Sequence, residues 1–460
     1  MAVNPNVRGC GLGNLLVNEL KKYCDDTGVL QVTLSTANPR AGNFYKKNGF
    51  VDLAPADSKV LRMIMYLGER VIRRVAIVGG THGNERIGIE LIRQWTADRT
   101  ALERSTFKTS VMIGNPIATK ANRRYCDADM NRQFSKKDIA DRTEQSKTTS
   151  PTASLVSAEI LHAISLNELL GPKGAINEQF ECDFIIDLHS SNSNVGLVGM
   201  INGADKDCHA LRLSQYLLTE RQEDFPLLKI TNSKTDKGDS INVDSISPYG
   251  IAFEVGPITH GTLSVELLDK TRDLVYASLD FIESQNKKLL QAAAAAAAAE
   301  AATSVGSSSG EECDPGVVRS QGRDIVLASH PATIQLIQRL PPFTEIDCYV
   351  EVSKMKYPEQ DVAAAGNIEA GLYPTQSAVH PSLEGADWTT IEDCQPAFMA
   401  TDGSKKVIPF VRPVIQGGHF QAPGPPEAPP PLFLLFVNEA AYQESGVAFA
   451  VYKKISKTVF

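Results

Sequence analysis

Apolar positions recur along this chain in two rhythms. RVAIVGG (74–80), TSVMIGNP (109–116), CDFIIDLH (182–189) and GIAFEVGP (250–257) are short, almost continuous apolar runs, the pattern of strands covered on both faces. Elsewhere the spacing is helical. Gly88, Leu91, Ile92 and Trp95 share one face behind HGNE, SAEILHAISLNELLGPKG closes at Gly171-Pro172, and a further helix is expected near 263–290. Strands alternating with helices predict an α/β sheet with much parallel pairing. The polar stretch 135–153 reads as a surface loop.

Outside that central region the pattern changes. Residues 1–66 predict a helix at 11–23 with Leu12, Leu15, Leu16 and Leu20 in register. A strand at 31–37, a short helix within 38–50 and a strand at 60–67 follow. A new unit begins at 71 and runs to 290. Eight alanines (292–299) and EAATSVGSSSGEECDPG then mark 291–343 as a low-complexity linker, helical in part and then flexible. From 344 to 460 the chain is short-stranded and turn-rich, a smaller β domain interrupted by the polyproline-like insertion GGHFQAPGPPEAPPP at 417–431. There is no internal repeat.

Composition narrows the function classes. Lys plus Arg number 46 against 54 for Asp plus Glu, a net charge of −8, which offers no footprint for nucleic acid and no pull toward anionic membranes. Eight scattered cysteines without a CxxC pair suit reduced thiols. The N-terminal MAVNPNVRGCGLG lacks the apolar core of a signal peptide, and no apolar run approaches the roughly 20 residues of a membrane helix. The expectation is a cytoplasmic protein.

Four strings carry chemistry: HGNE (82–85), RYCDADMNR (124–132), DLH (187–189) and FEVGP (253–257). His82 and Glu85, three apart on a first helical turn, face one direction, and His189 ends another buried strand. Together they offer one imidazole, one carboxylate and a second imidazole, a ligand set that leaves a fourth zinc position open. His82 alone would read as an ordinary loop histidine; the strand-end setting and its partners favour a metal. The other six histidines have no such support. Glu254, in an apolar strand, is either a structural partner of an arginine or the base that activates water. Arg124, Asn131 and Arg132 form a donor cluster suited to carboxylate and oxyanion, against the alternative of a solvated loop paired with Asp127 and Asp129.

With these strings, LLGPK, AVHPSLEGADW and FVNEAAYQESGVAF make residues 72–290 and 344–460 resemble the aspartoacylase and aminoacylase III family of zinc N-acyl-amino-acid deacylases. The resemblance implies a zinc-carboxypeptidase-like mixed sheet with flanking helices, capped by the C-terminal β-rich domain. It implies one Zn2+ on His82, Glu85 and His189, and Glu254 as general base and acid. Arg124 would bind the oxyanion, and Asn131, Arg132 and Tyr442 the substrate α-carboxylate. Aspartoacylases carry an arginine ten residues before the catalytic glutamate; here that position is Asp244, which would repel a second substrate carboxylate. N-acyl derivatives of neutral, aromatic or S-substituted cysteine amino acids are therefore expected, with N-acetyl-L-aspartate as the alternative and a dipeptide-trimming carboxypeptidase as a third reading. Homo-oligomerisation is a family trait that nothing in the sequence tests.

VRGCGLGNLLVNELKKYC and QVTLSTANPRAGNFYKKNGF resemble the second half of a GNAT acetyltransferase, beginning at the phosphate-binding motif and so lacking that fold's first strands. Arg8, Gly11 and Gly13 would cradle the pyrophosphate of acetyl-CoA and Tyr45 would protonate the thiolate. A remnant or scaffold is the competing expectation.

Overall fold

The computed structural model describes residues 71–148, 157–173, 180–202, 208–233, 235, 239–305, 344–358, 377–401, 403–413, 429–439 and 446–459. Nearer the N-terminus it describes three strands, β1 (Gln31–Thr36), β2 (Val51–Asp52) and β3 (Leu61–Tyr66), paired antiparallel in the order β1-β3-β2. The strands expected at 31–37 and 60–67 are thus present, whereas the helices expected at 11–23 and 38–50 lie outside the described residues.

The central unit opens with β4 (Arg74–Gly79), α1 (Arg86–Ala97), β5 (Lys108–Ile113), α2 (Pro116–Ala121), α3 (Lys136–Thr148) and α4 (Ala158–Leu170). It continues through β6 (Phe184–Ser190), β7 (Gly196–Ile201), α5 (Cys208–Thr219), β8 (Leu228–Asn232), β9 (Tyr249–Gly256) and α6 (Val265–Val305). The C-terminal strands are β10 (Thr344–Lys356), β11 (Ser377–Val379), β12 (Thr390–Ile391), β13 (Pro396–Ala400), β14 (Val407–Pro409), β15 (Leu432–Leu435) and β16 (Val447–Val459).

Ten of these strands form one mixed sheet in the order β12-β15-β16-β10-β8-β7-β9-β6-β4-β5. The pairs β5-β4, β4-β6, β6-β9 and β7-β8 are parallel, and β7-β9 is antiparallel. Alternation along β4 shows why its sequence is apolar throughout. Val75 and Ile77 enter a core shared with α1, α5 and α6, while Ala76 and Val78 enter a second core under α3 and α4. A Cβ on Gly79 would lie 2.5 Å from the Gly88 carbonyl oxygen, so α1 packs against β4 at a distance only glycine permits.

Two regions depart from the expected pattern. The stretch read as a surface loop, 135–153, contains α3: Ser135 Oγ accepts the Asp138 N–H at 3.0 Å as a helix cap, and Ile139 is buried against the second core. Among its described side chains only Ile139 is buried, too little apolar pattern to register in a polar sequence. The second differs in length only: the helix expected near 263–290 runs on through the alanines to Val305, within the linker expected to be helical in part, consistent with alanine's helical preference.

The C-terminal region is β-rich, as expected, and it extends the catalytic sheet. β10 joins β8 in parallel through Tyr349 opposite Thr231, then pairs with β16 along its length. A second small sheet, β11-β13-β14, completes this region.

Candidate active site

The parallel strands β4, β6 and β9 end side by side, and the site is built on those ends. After β4 the chain turns through Thr81–Asn84, and Glu85 stands at the N-cap position of α1 with its side chain turned to the site and no capping bond to the helix. Gly83 is required within that turn: a Cβ there would meet the Ala118 backbone at 2.0 Å, and its N–H donates to the Arg124 carbonyl at 3.2 Å. The close approach welds the HGNE turn to the loop carrying Arg124.

His82, Glu85 and His189 converge, with their donor atoms all within 4.8 Å of one another and each side chain buried. Glu85 Oε1 lies 2.6 Å from His82 Nδ1, and Glu85 Oε2 lies 3.0 Å from His189 Nδ1 and accepts the Ser190 N–H at 3.0 Å. The opposite ring nitrogens face other carboxylates. His82 Nε2 is 3.2 Å from Asp129 Oδ1, and His189 Nε2 is 2.7 Å from Asp187 Oδ2. In the tautomer that donates Nε2–H to these outer carboxylates, both Nδ1 atoms would turn lone pairs to the shared centre, the arrangement a zinc ligand pair needs. The donor set fits Zn2+: two imidazoles and one carboxylate, buried and oriented.

Asp187 is itself fixed by Thr81 Oγ1, which donates to its Oδ1 at 2.8 Å. Because Asp187 and His189 are two apart on β6, strand periodicity places them on one face. Asp129 also accepts from Arg124 Nη2 at 3.1 Å, while Arg124 Nη1 stands 3.4 Å from Glu85 Oε1. Arg124 is thus held between two carboxylates beside the candidate metal site. The loop bearing it is anchored from α4, where the buried Glu159 carboxylate accepts the Cys126 N–H at 2.5 Å and the Asp127 N–H at 3.2 Å.

Glu254 sits on β9 directly opposite His189 of β6. Burial and the carboxylates of Glu85 and Glu439 push its pKa well above the usual carboxylate range, against the opposing pull of His189 and Arg124. Burial alone would also raise Glu85, but His82 and His189 hold it well below that range. Burial would lower His189; Asp187 and Glu85 overcome it and hold it well above the usual imidazole value. Two carboxylates in one site are thus pushed in opposite directions, one toward ligand and one toward proton carrier.

These residues open on a cavity of about 420 Å3, lined also by Asn131, Arg132, Met200, Ile201, Asn202, Lys354, Phe436 and Glu439. Asn131 is partly committed to structure: its Oδ1 accepts the Val243 N–H at 3.0 Å and its Nδ2 lies 3.5 Å from His189 Nε2. Arg132 is exposed at the cavity mouth, with Nη1 on the Asn131 carbonyl at 2.9 Å. Asp244 is fully buried and is not part of the lining. Its two carboxylate oxygens accept from Asn202 Nδ2 at 3.0 and 2.9 Å, so Asn202 is the group that faces the cavity. Tyr442 lies outside the described residues, as do Arg8, Gly11, Gly13 and Tyr45.

Sequence reasoning assigned no role to Asp187, Glu159 or Glu439; it named Asp129 only as a salt-bridge partner in the alternative reading of the loop, and that pairing with Arg124 is present at 3.1 Å. The aspartate of DLH was visible as an i, i+2 partner of a ligand histidine. Glu439 stood in the quoted string FVNEAAY, but nothing local marked its carboxylate as part of the cavity wall.

Residues 71–282 match the model of the succinylglutamate desuccinylase/aspartoacylase catalytic domain. The mouse N-acyl-aromatic-L-amino acid amidohydrolase (carboxylate-forming) is 30% identical over 84% of this chain and 92% of its own length. The chain belongs to the succinylglutamate desuccinylase/aspartoacylase family. Mouse aspartoacylase is 27% identical over 86% of this family member and 96% of its own length. The crystal structure of murine aminoacylase 3 superposes with a TM-score of 0.59 at 27% identity, covering 85% of this chain and 98% of that one. Residues 1–52 match the model of an acetyltransferase (GNAT) domain. Family membership makes the chain a hydrolase of linear amides. No helix among the described residues is long and apolar enough to cross a membrane.

Proposed function

We propose that this enzyme removes the acyl group, typically acetyl, from N-acyl-L-amino acids of neutral, aromatic or S-substituted cysteine type. The observation that carries this reading is Glu254 standing beside the His82, Glu85 and His189 donor set at the base of a cavity sized for a small molecule. His82, Glu85 and His189 would hold zinc, which when bound supplies Lewis-acid polarisation and a more acidic water.

The chain's own residues do the rest. Glu254, its proton affinity raised by burial and by Glu85 and Glu439, takes a proton from the attacking water and delivers it to the departing amine nitrogen. The amide C–N bond breaks as the new C–O bond is completed, giving a carboxylate and a free amino acid. Arg124, pre-oriented by Asp129 and Glu85, receives the charge that develops on the acyl oxygen. Arg132 and Asn131 at the mouth, with Tyr442, would hold the α-carboxylate.

Substrate preference follows from the cavity wall. With Asp244 buried and bonded to Asn202, the position that an aspartoacylase fills with arginine offers an amide and no cation. Lys354 also lines the cavity, but its Nζ lies 4.0 Å from Glu351 Oε2, which shares that wall. A substrate side-chain carboxylate would enter beside Glu351, whereas Met200, Ile201 and Phe436 offer apolar contact. Amine release from a panel of N-acetyl-L-tyrosine, -phenylalanine, -leucine, -aspartate and S-benzyl-cysteine by the zinc-loaded chain tests this. Turnover favouring the neutral and aromatic members is expected; a preference for N-acetyl-L-aspartate would overturn the specificity and leave the chemistry standing.

A further inference from the structure

Where the C-terminal region meets the catalytic unit, one buried carboxylate joins two segments far apart in the sequence. Asp387 Oδ2 accepts the Asn194 N–H at 3.2 Å, from the loop between β6 and β7. Asp387 Oδ1 accepts the Val437 N–H at 3.2 Å, from the turn that follows β15. Its neighbours repeat the pattern: Trp388 Nε1 donates to the Val195 carbonyl at 2.8 Å, and the Trp388 N–H to the Leu434 carbonyl at 2.8 Å.

The two segments so joined are those that complete the cavity. Phe436 and Glu439 on the turn both line it. From the facing loop, Ser191 Oγ donates to Glu439 Oε2, and the Ser193 hydroxyl lies 3.0 Å from the Val437 carbonyl and 3.2 Å from Glu439 Oε2. Trp388, Phe436 and Asn438 have φ of 65°, 56° and 56°, a left-handed conformation that costs free energy in residues with side chains. A bulky residue stays there only when surrounding bonds over-determine it, and Asp387 supplies the bonds at the centre of this clasp.

We propose that Asp387 is a positioning residue that sets where Phe436 and Glu439 stand on the cavity wall, and so how firmly substrate is held. It does so without touching the metal ligands or Glu254. This rests on the deacylase reading of the cavity, but its first readout needs no turnover.

The test compares wild type, Asp387→Asn, Asp387→Ala, Glu439→Gln and the Asp387→Ala/Glu439→Gln pair in the full chain. Hydrogen exchange is followed in the segments 191–195 and 434–439. Exchange in both segments should quicken in Asp387→Ala with zinc content unchanged. KM for the preferred N-acetyl amino acid should rise about tenfold, the worth of one hydrogen bond to a charged group, while kcat changes less. The Asn variant keeps one carbonyl acceptor and should fall between; it carries the comparison if the Ala variant does not fold. The pair should lose less than the sum of the two single losses, because part of the Asp387 effect acts through Glu439. Unchanged exchange in either segment, an unchanged KM, or fully additive losses would overturn the proposal. An inactive wild type would count against the deacylase reading alone, with exchange still deciding the clasp.

Discussion

Replacing Asp187 by Asn changes one charge and almost no volume. The carboxylate is fully buried, 2.7 Å from His189 Nε2 and 2.8 Å from Thr81 Oγ1, and the amide can keep both contacts by turning its oxygen to the histidine. What is lost is the difference between a charged and a neutral hydrogen-bond acceptor, about 1 to 2 kcal/mol. That converts to a roughly five- to thirtyfold weaker zinc Kd, overlapping the range found when the outer partner of a ligand histidine is removed. Asp187→Ala strands both donors and should cost more. Asp187 also raises the His189 pKa, so proton competes with metal at low pH and the loss should be largest on the alkaline side. Competition with a chromophoric chelator reads the Kd. Asp183→Asn is the control, since that buried carboxylate serves the Arg73 and Arg74 N–H groups away from the site and should alter stability without altering zinc affinity. Wild-type affinity in Asp187→Asn, or equal loss in the control, would refute the claim that Asp187 orients a ligand.

Other substitutions probe the frame around the site. Glu159→Gln should lower kcat/KM about tenfold with zinc content intact, because a neutral oxygen holds the Cys126 and Asp127 N–H groups less firmly and Arg124 rides on that loop. Gly83→Ala should cost about 3 kcal/mol or more in denaturant melts, since its Cβ would overlap the Ala118 backbone. Asp387 also makes a pH prediction: burial raises its pKa from the ordinary 3.8 to about 6, so the folded state binds its proton more tightly than the unfolded state. The resulting stability is present below the ordinary value and lost as pH rises toward 6, by at most about 3 kcal/mol. Asp387→Asn should flatten that decline in unfolding free energy measured from pH 4 to pH 6.

The parts of this molecule most legible in the sequence were those where one local pattern has one physical cause. RVAIVGG and CDFIIDLH read as strands buried on both faces and are so; the two donors of HGNE do face one centre, but from the turn before α1 and not from a first helical turn. GLVGMI and LKITN, which form β7 and β8, are short apolar runs with no flanking signal strong enough to assign them. The attachment of β10 to β8 depends on Tyr349 and Thr231, more than a hundred residues apart, and no local rule specifies that pairing. Asp244 shows a subtler limit. Its charge was readable, but its pairing with Asn202, 42 residues away, was not, and that pairing decides which group the cavity presents. Glu439 likewise acquires its place only when the C-terminal turn closes on Ser191 and Ser193.

The central claim is that Glu254 carries the proton in a metal-dependent amide hydrolysis. The direct measurement is kcat for N-acetyl-L-tyrosine by the zinc-loaded wild type and by Glu254→Gln, with zinc quantified in the same samples. Removing a general base and acid should lower kcat by about 10²- to 10⁴-fold at equal zinc content. Equal turnover by the two proteins, or none by the zinc-loaded wild type on this or any N-acyl amino acid, would contradict it.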